Sequence, residues 1–121
     1  MNPRLSFRTG ISVAVMVANL AIVGTAVAGD PEAGRIVAQA VCTTCHIVSL
    51  DQKIWPIYRL DLPTFEEIAG TKDLTEAKIV AVLKGDHAAW PSSRNMPNVG
   101  LTETQTQDVS SFILSLRPRK R

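Results

Sequence analysis

Apolar residues recur at intervals of three and four in three stretches of the chain, which is the spacing of a helix with one buried face. The stretches lie at 31–42, at 74–84 or 76–84, and at 103–116. Their apolar members are Ala33, Ile36, Val37, Ala40 and Val41, then Ala77, Ile79, Val80, Val82 and Leu83, and finally Val109, Phe112, Ile113 and Leu116. No stretch shows the alternation of a strand. The pattern therefore predicts an all-α protein with one domain.

Polar residues, glycines and prolines mark where these helices begin and end, and they indicate a fourth, short helix after position 64. A capping residue or capping box precedes each helix, and a glycine or proline follows three of them. In chain order, the predicted signals are Asp30 with Pro31, Thr64 with Glu67, Gly70, Asp73 or Thr75, Gly85, Thr102 with Gln105, and Pro118. The segments 47–62 and 86–100 remain as loops, and we expect the first to wrap a cofactor or to pack on the core.

The first 28 residues have the composition of an export signal. Arg4 and Arg8 form a basic start, positions 11–27 are largely apolar, and Ala26-Val27-Ala28 places small residues where a signal peptidase acts. We expect cleavage after Ala28, which makes 1–28 a signal peptide, 29–121 the mature domain and the periplasm its location. The alternative is a retained anchor, because about 18 apolar residues are just long enough to span a membrane.

The charge distribution argues against a nucleic-acid partner. The chain has 13 basic and 11 acidic residues, and loss of the signal removes two basic ones, so the mature domain is expected to be neutral. Four of the remaining basic residues crowd positions 117–121, without the interleaved aromatic residues of a nucleic-acid surface. This basic tail either docks on an acidic partner or anionic lipid, or is a solvated end.

Cys42-Thr43-Thr44-Cys45-His46 is the segment that carries chemistry. Two cysteines three positions apart, followed at once by histidine, are the mark of covalent c-type haem attachment. Each thiol can add across one vinyl group of a porphyrin, and the imidazole can then reach the iron from one face. A dithiol redox site or a zinc site with His87 is the alternative. No strand-like pattern precedes Cys42, and in an exported protein a free pair would tend to close into a disulfide.

The opposite face of such an iron needs a second ligand or stays open. Met96, followed by Pro97, is the one methionine that remains after loss of the signal. Methionine ligation raises the potential of electron-carrying cytochromes, so Met96 is the candidate second ligand. Its alternative role is packing. His87 is the rival ligand, and ligation by two histidines would lower the potential.

Taken together, these segments resemble the class I c-type cytochromes, which are small exported monohaem proteins of bacteria. The matching segments are Gly34 eight residues before Cys42, the haem motif, 63–69, Met96-Pro97-Asn98 and 112–116. The resemblance implies a cytochrome c fold of about four short helices, with loops wrapped around one haem c. It implies covalent attachment through Cys42 and Cys45, with His46 and Met96 as the iron ligands.

The resemblance also implies two packing contacts. The first and last helices would cross with Phe112 against Gly34, although Ala38 stands where the family usually has an aromatic residue, so we expect this crossing to be packed differently. A proline carbonyl group would accept the second N–H of His46, and Pro63 matches that position best, with Pro56 as the alternative. Further candidates for contacts to the haem propionates are Tyr58, Arg59, Trp90 and Arg94, for which plain packing is the alternative.

The function implied by the resemblance is one-electron transfer, not catalysis. We expect a monomer that shuttles between a dehydrogenase or membrane complex and a terminal acceptor. One alternative is a fixed haem subunit of a larger oxidoreductase, docked through the basic tail. The other is a peroxidase-like or gas-binding haem with an open distal site, for which the sequence offers no second distal histidine or arginine constellation.

Overall fold

The computed structural model describes residues 28–57, 62–86 and 96–118. In these ranges it contains four α-helices, α1 (Pro31–Val41), α2 (Phe65–Ala69), α3 (Glu76–Leu83) and α4 (Glu103–Ser115), and no strand. The predicted all-α class and helix positions are confirmed. The predictions for the signal segment before residue 28, for His87 and Trp90, for the other propionate candidates and for the last three residues fall outside the described ranges.

None of the helices in the described ranges is long and apolar enough to cross a membrane.

The start of α3 shows how the structure chooses between two capping candidates. The Thr75 hydroxyl accepts the N–H of Lys78 at 3.2 Å, so Thr75 is the cap. Asp73 instead adopts a left-handed conformation, with φ of 59°, and its carbonyl oxygen accepts the Lys78 ammonium at 2.9 Å. The other predicted caps are all present: Asp30 for α1, and the capping boxes Thr64 with Glu67 for α2 and Thr102 with Gln105 for α4.

The main tertiary contact is the crossing of α1 and α4 at Gly34. A β-carbon at position 34 would lie 2.0 Å from the backbone oxygen of Asp108 and 2.9 Å from Cβ of Phe112. The predicted approach of Phe112 to Gly34 is therefore confirmed. Just before α1, the N–H of Asp30 donates to the Asp108 carboxylate at 2.8 Å, so the same residue of α4 holds both the start and the middle of α1.

The core is enclosed by all four of these helices, α1, α2, α3 and α4. Its buried members are Ala38, Cys42, Val48, Phe65, Ala69, Leu74, Ile79, Leu83, Val109, Phe112 and Ile113. Ala38 is fully buried, and the aromatic partner of Phe112 is Phe65 of α2, with ring centroids 6.2 Å apart at 48°. At the position where the family usually has an aromatic residue, α1 thus places the small side chain of Ala38 in the core, and the ring beside Phe112 comes from α2.

Candidate functional site

The two cysteines and the histidine occupy one turn of chain that continues α1. The N–H of Cys42 donates to the Ala38 carbonyl at 2.8 Å, which ends the helix. The N–H groups of Cys45 and His46 both donate to the carbonyl oxygen of Cys42, at 3.2 and 2.9 Å. The two cysteines form no disulfide with each other. The motif thus forms one hydrogen-bonded turn that carries both cysteines and the histidine, as the sequence predicted.

Burial separates the two thiols. Cys42 is buried among core residues and Cys45 is half-buried. Burial, with a smaller contribution from the neighbouring Cys45, raises the pKa of the Cys42 thiol to about 11. A dithiol redox site needs an attacking cysteine with a lowered thiol pKa, and the pKa of Cys42 is shifted in the opposite direction.

The imidazole of His46 is held by the carbonyl group of Pro63. Nδ1 of the ring lies 2.8 Å from that oxygen, across 17 residues of chain. A carbonyl oxygen only accepts, so Nδ1 carries the proton, and Nε2 of the neutral ring keeps its lone pair for a metal. Of the two candidate prolines, it is Pro63 and not Pro56 that makes this contact.

The segment that carries Pro63 is fixed next to His46 by a further pair of contacts. The N–H of Phe65 donates to the Ile47 carbonyl at 2.9 Å, immediately after the histidine. The Phe65 ring then packs on the imidazole, with centroids 5.8 Å apart and an interplanar angle of 55°. The orientation of His46 is therefore determined by α2, the shortest helix, and by the extended residues before it.

Met96 is half-buried and packs against the same core that contains Cys42 and Phe65. It follows the undescribed part of the second predicted loop, and Pro97 after it is exposed. The structure thus places Cys42, Cys45 and His46 on one turn, and it brings Pro63, which lies just before α2, next to that turn. Met96 packs on the outside of the core that contains Cys42.

Gln52 holds the loop that follows the haem motif, a role that the sequence pattern does not predict. The residue is only 5% exposed. Its Oε1 accepts the N–H groups of Val48 at 2.6 Å and Ser49 at 3.1 Å, and its Nε2 donates to the Ile54 carbonyl at 2.6 Å. A glutamine in an aperiodic segment gives no signal of this role, because its partners become neighbours only when the loop folds back.

The same loop exposes large apolar side chains. Ile54, Trp55 and Ile57 are 55–76% exposed, and Leu62 at the far end is 38% exposed. A porphyrin packed against this loop, which follows the haem motif, would cover these side chains and remove their apolar surface from water. Two cysteines on one turn, a histidine whose Nε2 is left over, and this apolar loop all fit a haem.

Comparison with known proteins supports the same assignment. A family model described as cytochrome c matches residues 31–117. Cytochrome c-552 of Bradyrhizobium diazoefficiens is 29% identical over 109 residues, which cover 90% of this chain and 94% of that protein. No solved structure matches the chain significantly. Because the family match runs from the first residue of α1 to beyond the end of α4, the chain belongs to the cytochrome c family of electron carriers and holds haem c through Cys42 and Cys45.

Proposed function

We propose that this protein is a periplasmic one-electron carrier in which His46 and Met96 are the two axial ligands of the haem iron. The haem supplies the redox chemistry when it is bound, and the protein determines ligands, burial and potential. The observation that carries the proposal is the hydrogen bond from His46 to the Pro63 carbonyl oxygen. This bond gives the imidazole the tautomer and the direction that an iron ligand needs.

The hydrogen bond also affects the strength of the ligand. A carbonyl group that accepts the second N–H of a ligating histidine fixes the ring and raises its basicity. The tilted ring of Phe65 restricts the same imidazole from another side. His46 therefore loses little conformational freedom when it binds, which favours a permanent ligand over an exchangeable one.

Met96 suits the opposite position because a thioether is neutral and soft, and methionine ligation favours the reduced iron. Its side chain is already packed on the core. With both axial positions filled by protein groups, no position is left for a peroxide or a gas. The arrangement thus supports electron transfer through the haem edge and argues against the catalytic alternative.

The location and the partners are proposed from the sequence. The basic start, the apolar run and the small residues before Gly29 support export and cleavage after Ala28. We propose a monomeric domain of residues 29–121 that exchanges electrons with a dehydrogenase, an oxidase or a membrane complex. Intact-mass measurement of the protein from a periplasmic fraction should give a chain that begins at Gly29 and carries one haem. A mass that includes residues 1–28 would contradict the cleavage.

The ligation is tested with the haem-loaded protein and the variant Met96→Ala. We expect the oxidised protein to show the weak far-red band of an iron–methionine bond, and the reduced protein not to bind carbon monoxide at neutral pH. Met96→Ala should lose the band and bind carbon monoxide. The matched control is Leu101→Ala, because Leu101 packs on the same core and has no ligand atom. Rapid carbon monoxide binding by the unaltered protein, or an unchanged band in Met96→Ala, would refute the proposed ligation.

A further inference from the structure

Gly85 and Asn98, which stand before and after the loop that leads to Met96, lie close to each other. Gly85 follows α3 with a φ of +90°, a left-handed conformation that glycine adopts readily. A β-carbon on Gly85 would lie 3.7 Å from Nδ2 of Asn98 and 4.0 Å from its Cβ, so the asparagine side chain lies over the glycine. The residues on either side of the segment 86–97 are therefore neighbours at the end of α3.

Asn98 also fixes the backbone that follows Met96. Its Oδ1 accepts the N–H of Gly100 at 2.9 Å, which makes an Asx turn. Gly100 has a φ of +67°, so the turn uses a conformation that few other residues adopt without strain. Pro97, between Met96 and Asn98, has its φ fixed by the pyrrolidine ring. Only Pro97, whose φ is fixed, separates Met96 from Asn98, whose side chain is held in the turn with Gly100.

We propose that Asn98 is a positioning residue that holds Met96 at the iron, through its turn with Gly100 and its place beside Gly85. This inference rests on the proposed ligation by Met96. A loop that is already anchored loses less conformational entropy when its methionine binds the iron. Asn98 therefore strengthens the iron–sulfur bond through the backbone, without a contact to the iron or the sulfur.

The experiment is a titration of the oxidised, haem-loaded protein with imidazole, which competes with the methionine for the iron. Asn98→Ala removes the acceptor for Gly100, and we expect it to bind imidazole about tenfold more tightly, because one lost hydrogen bond shifts the open form by about that factor. Asn98→Asp keeps an acceptor oxygen at the same place and should return the affinity to within about twofold of the unaltered protein.

The matched control is Thr75→Ala, which removes the cap at the other end of α3. It should lower the free energy of unfolding and leave imidazole affinity unchanged. An equal gain of affinity in Thr75→Ala and Asn98→Ala would mean that general destabilisation is the cause, which overturns the inference. If the far-red band is present in the unaltered protein and Asn98→Ala binds imidazole no more tightly, the inference is wrong and the ligation stands. If the unaltered protein lacks the band, the ligation fails and the inference with it.

Discussion

Gly34 of α1 lies directly against the backbone carbonyl group of Asp108 in α4, so closely that a β-carbon on residue 34 would stand 2.0 Å from that oxygen. The neighbouring atom belongs to the backbone of a helix and cannot turn aside as a flexible side chain could. The crossing of α1, which ends at the haem motif, with α4 therefore requires a residue without a side chain at position 34.

Replacing Gly34 by alanine should separate α1 from α4 and lower the free energy of unfolding by about 1–3 kcal/mol or more, because overpacking a tight contact forces the backbone to move. Urea unfolding of the haem-loaded protein, followed in the Soret band, measures this change. Gly70→Ala is the matched control, since Gly70 has a right-handed conformation and its nearest neighbour would be at 3.4 Å. That control should be neutral or slightly stabilising, and a loss as large as that of Gly34→Ala would contradict the argument.

Pro63→Ala should loosen the hydrogen bond to His46 while it keeps the accepting oxygen. The alanine frees the backbone at position 63, which lowers the free energy of unfolding by roughly 0.4–1 kcal/mol. We expect the Nδ1 proton of His46 to exchange faster with solvent, as followed by proton NMR. Pro56→Ala is the control, and it should leave that exchange rate unchanged. The assignment of Pro63 would be wrong if Pro56→Ala alone accelerated it.

Gln52→Ala should cost about 1–3 kcal/mol of stability, because it leaves the buried N–H of Val48 without its acceptor. Amide exchange at Val48 should become faster at the same time. Gln39→Ala is the matched control, since Gln39 makes one half-buried hydrogen bond, to the Ser49 hydroxyl at 3.1 Å. Its expected cost is about 0.5–1.5 kcal/mol. Equal losses in the two variants would show that burial of Gln52 adds nothing.

The pair of Lys84 and Glu103 should make part of the stability pH-dependent. Lys84 Nζ lies 2.6 Å from the Glu103 carboxylate, and this hydrogen bond, with the lysine charge, lowers the pKa of Glu103. The folded pKa is below the unfolded one, so the contribution is present above about pH 4.3 and is lost as the pH falls through the folded pKa. Both side chains are exposed, so the effect is small and weakens with salt.

The measurement is urea unfolding of the unaltered protein and of Glu103→Gln at a series of pH values from about 6 to about 3. The variant should lose less stability on acidification than the unaltered protein, and Lys84→Met should behave like it. Lys78→Met is the control, because that ammonium donates to the backbone carbonyl of Asp73 and to no carboxylate that the structure describes. If Glu103→Gln lost as much stability on acidification as the unaltered protein, the pair would not contribute to the pH dependence.

Ser110→Ala should stabilise the protein by about 1 kcal/mol. The Ser110 hydroxyl is fully buried in α4, and it has no hydrogen-bond partner among the residues that the structure describes. A methyl group at that position costs no desolvation of a polar atom. Ser115→Ala, which removes a hydrogen bond to the Phe112 carbonyl at 2.6 Å, is the control and should be slightly destabilising. Thermal unfolding of both variants compares the signs, and a loss of stability in Ser110→Ala would mean that the hydroxyl is satisfied.

Several features of this protein could be predicted because their signals are local. Asp30, Thr64 and Thr102 cap their helices through hydrogen bonds to residues two or three positions away, so the helix starts follow from the spacing alone. The haem motif is equally local, since its two thiols and its imidazole lie on one turn. Gly34 and Phe112 could be paired only through the resemblance to a known family.

Other choices required the folded chain. Two prolines were candidates for the contact with His46, and the backbone bond between Phe65 and Ile47 brings Pro63 to the ring. The aromatic partner of Phe112 is Phe65 of α2, which lies 47 positions earlier in the chain. The buried glutamine at position 52 gave no signal, since its three partners are backbone groups of a loop without period.

The sequence by itself thus determined the helices, the single turn that binds haem and the family, because each depends on residues a few positions apart or on motifs in a fixed order. Only the tertiary structure decided which proline orients His46, which helix supplies the ring beside Phe112, and that the Asn98 side chain lies beside Gly85. Those contacts join residues that are distant along the chain, and their partners are selected by packing and by backbone hydrogen bonds that form when the helices meet.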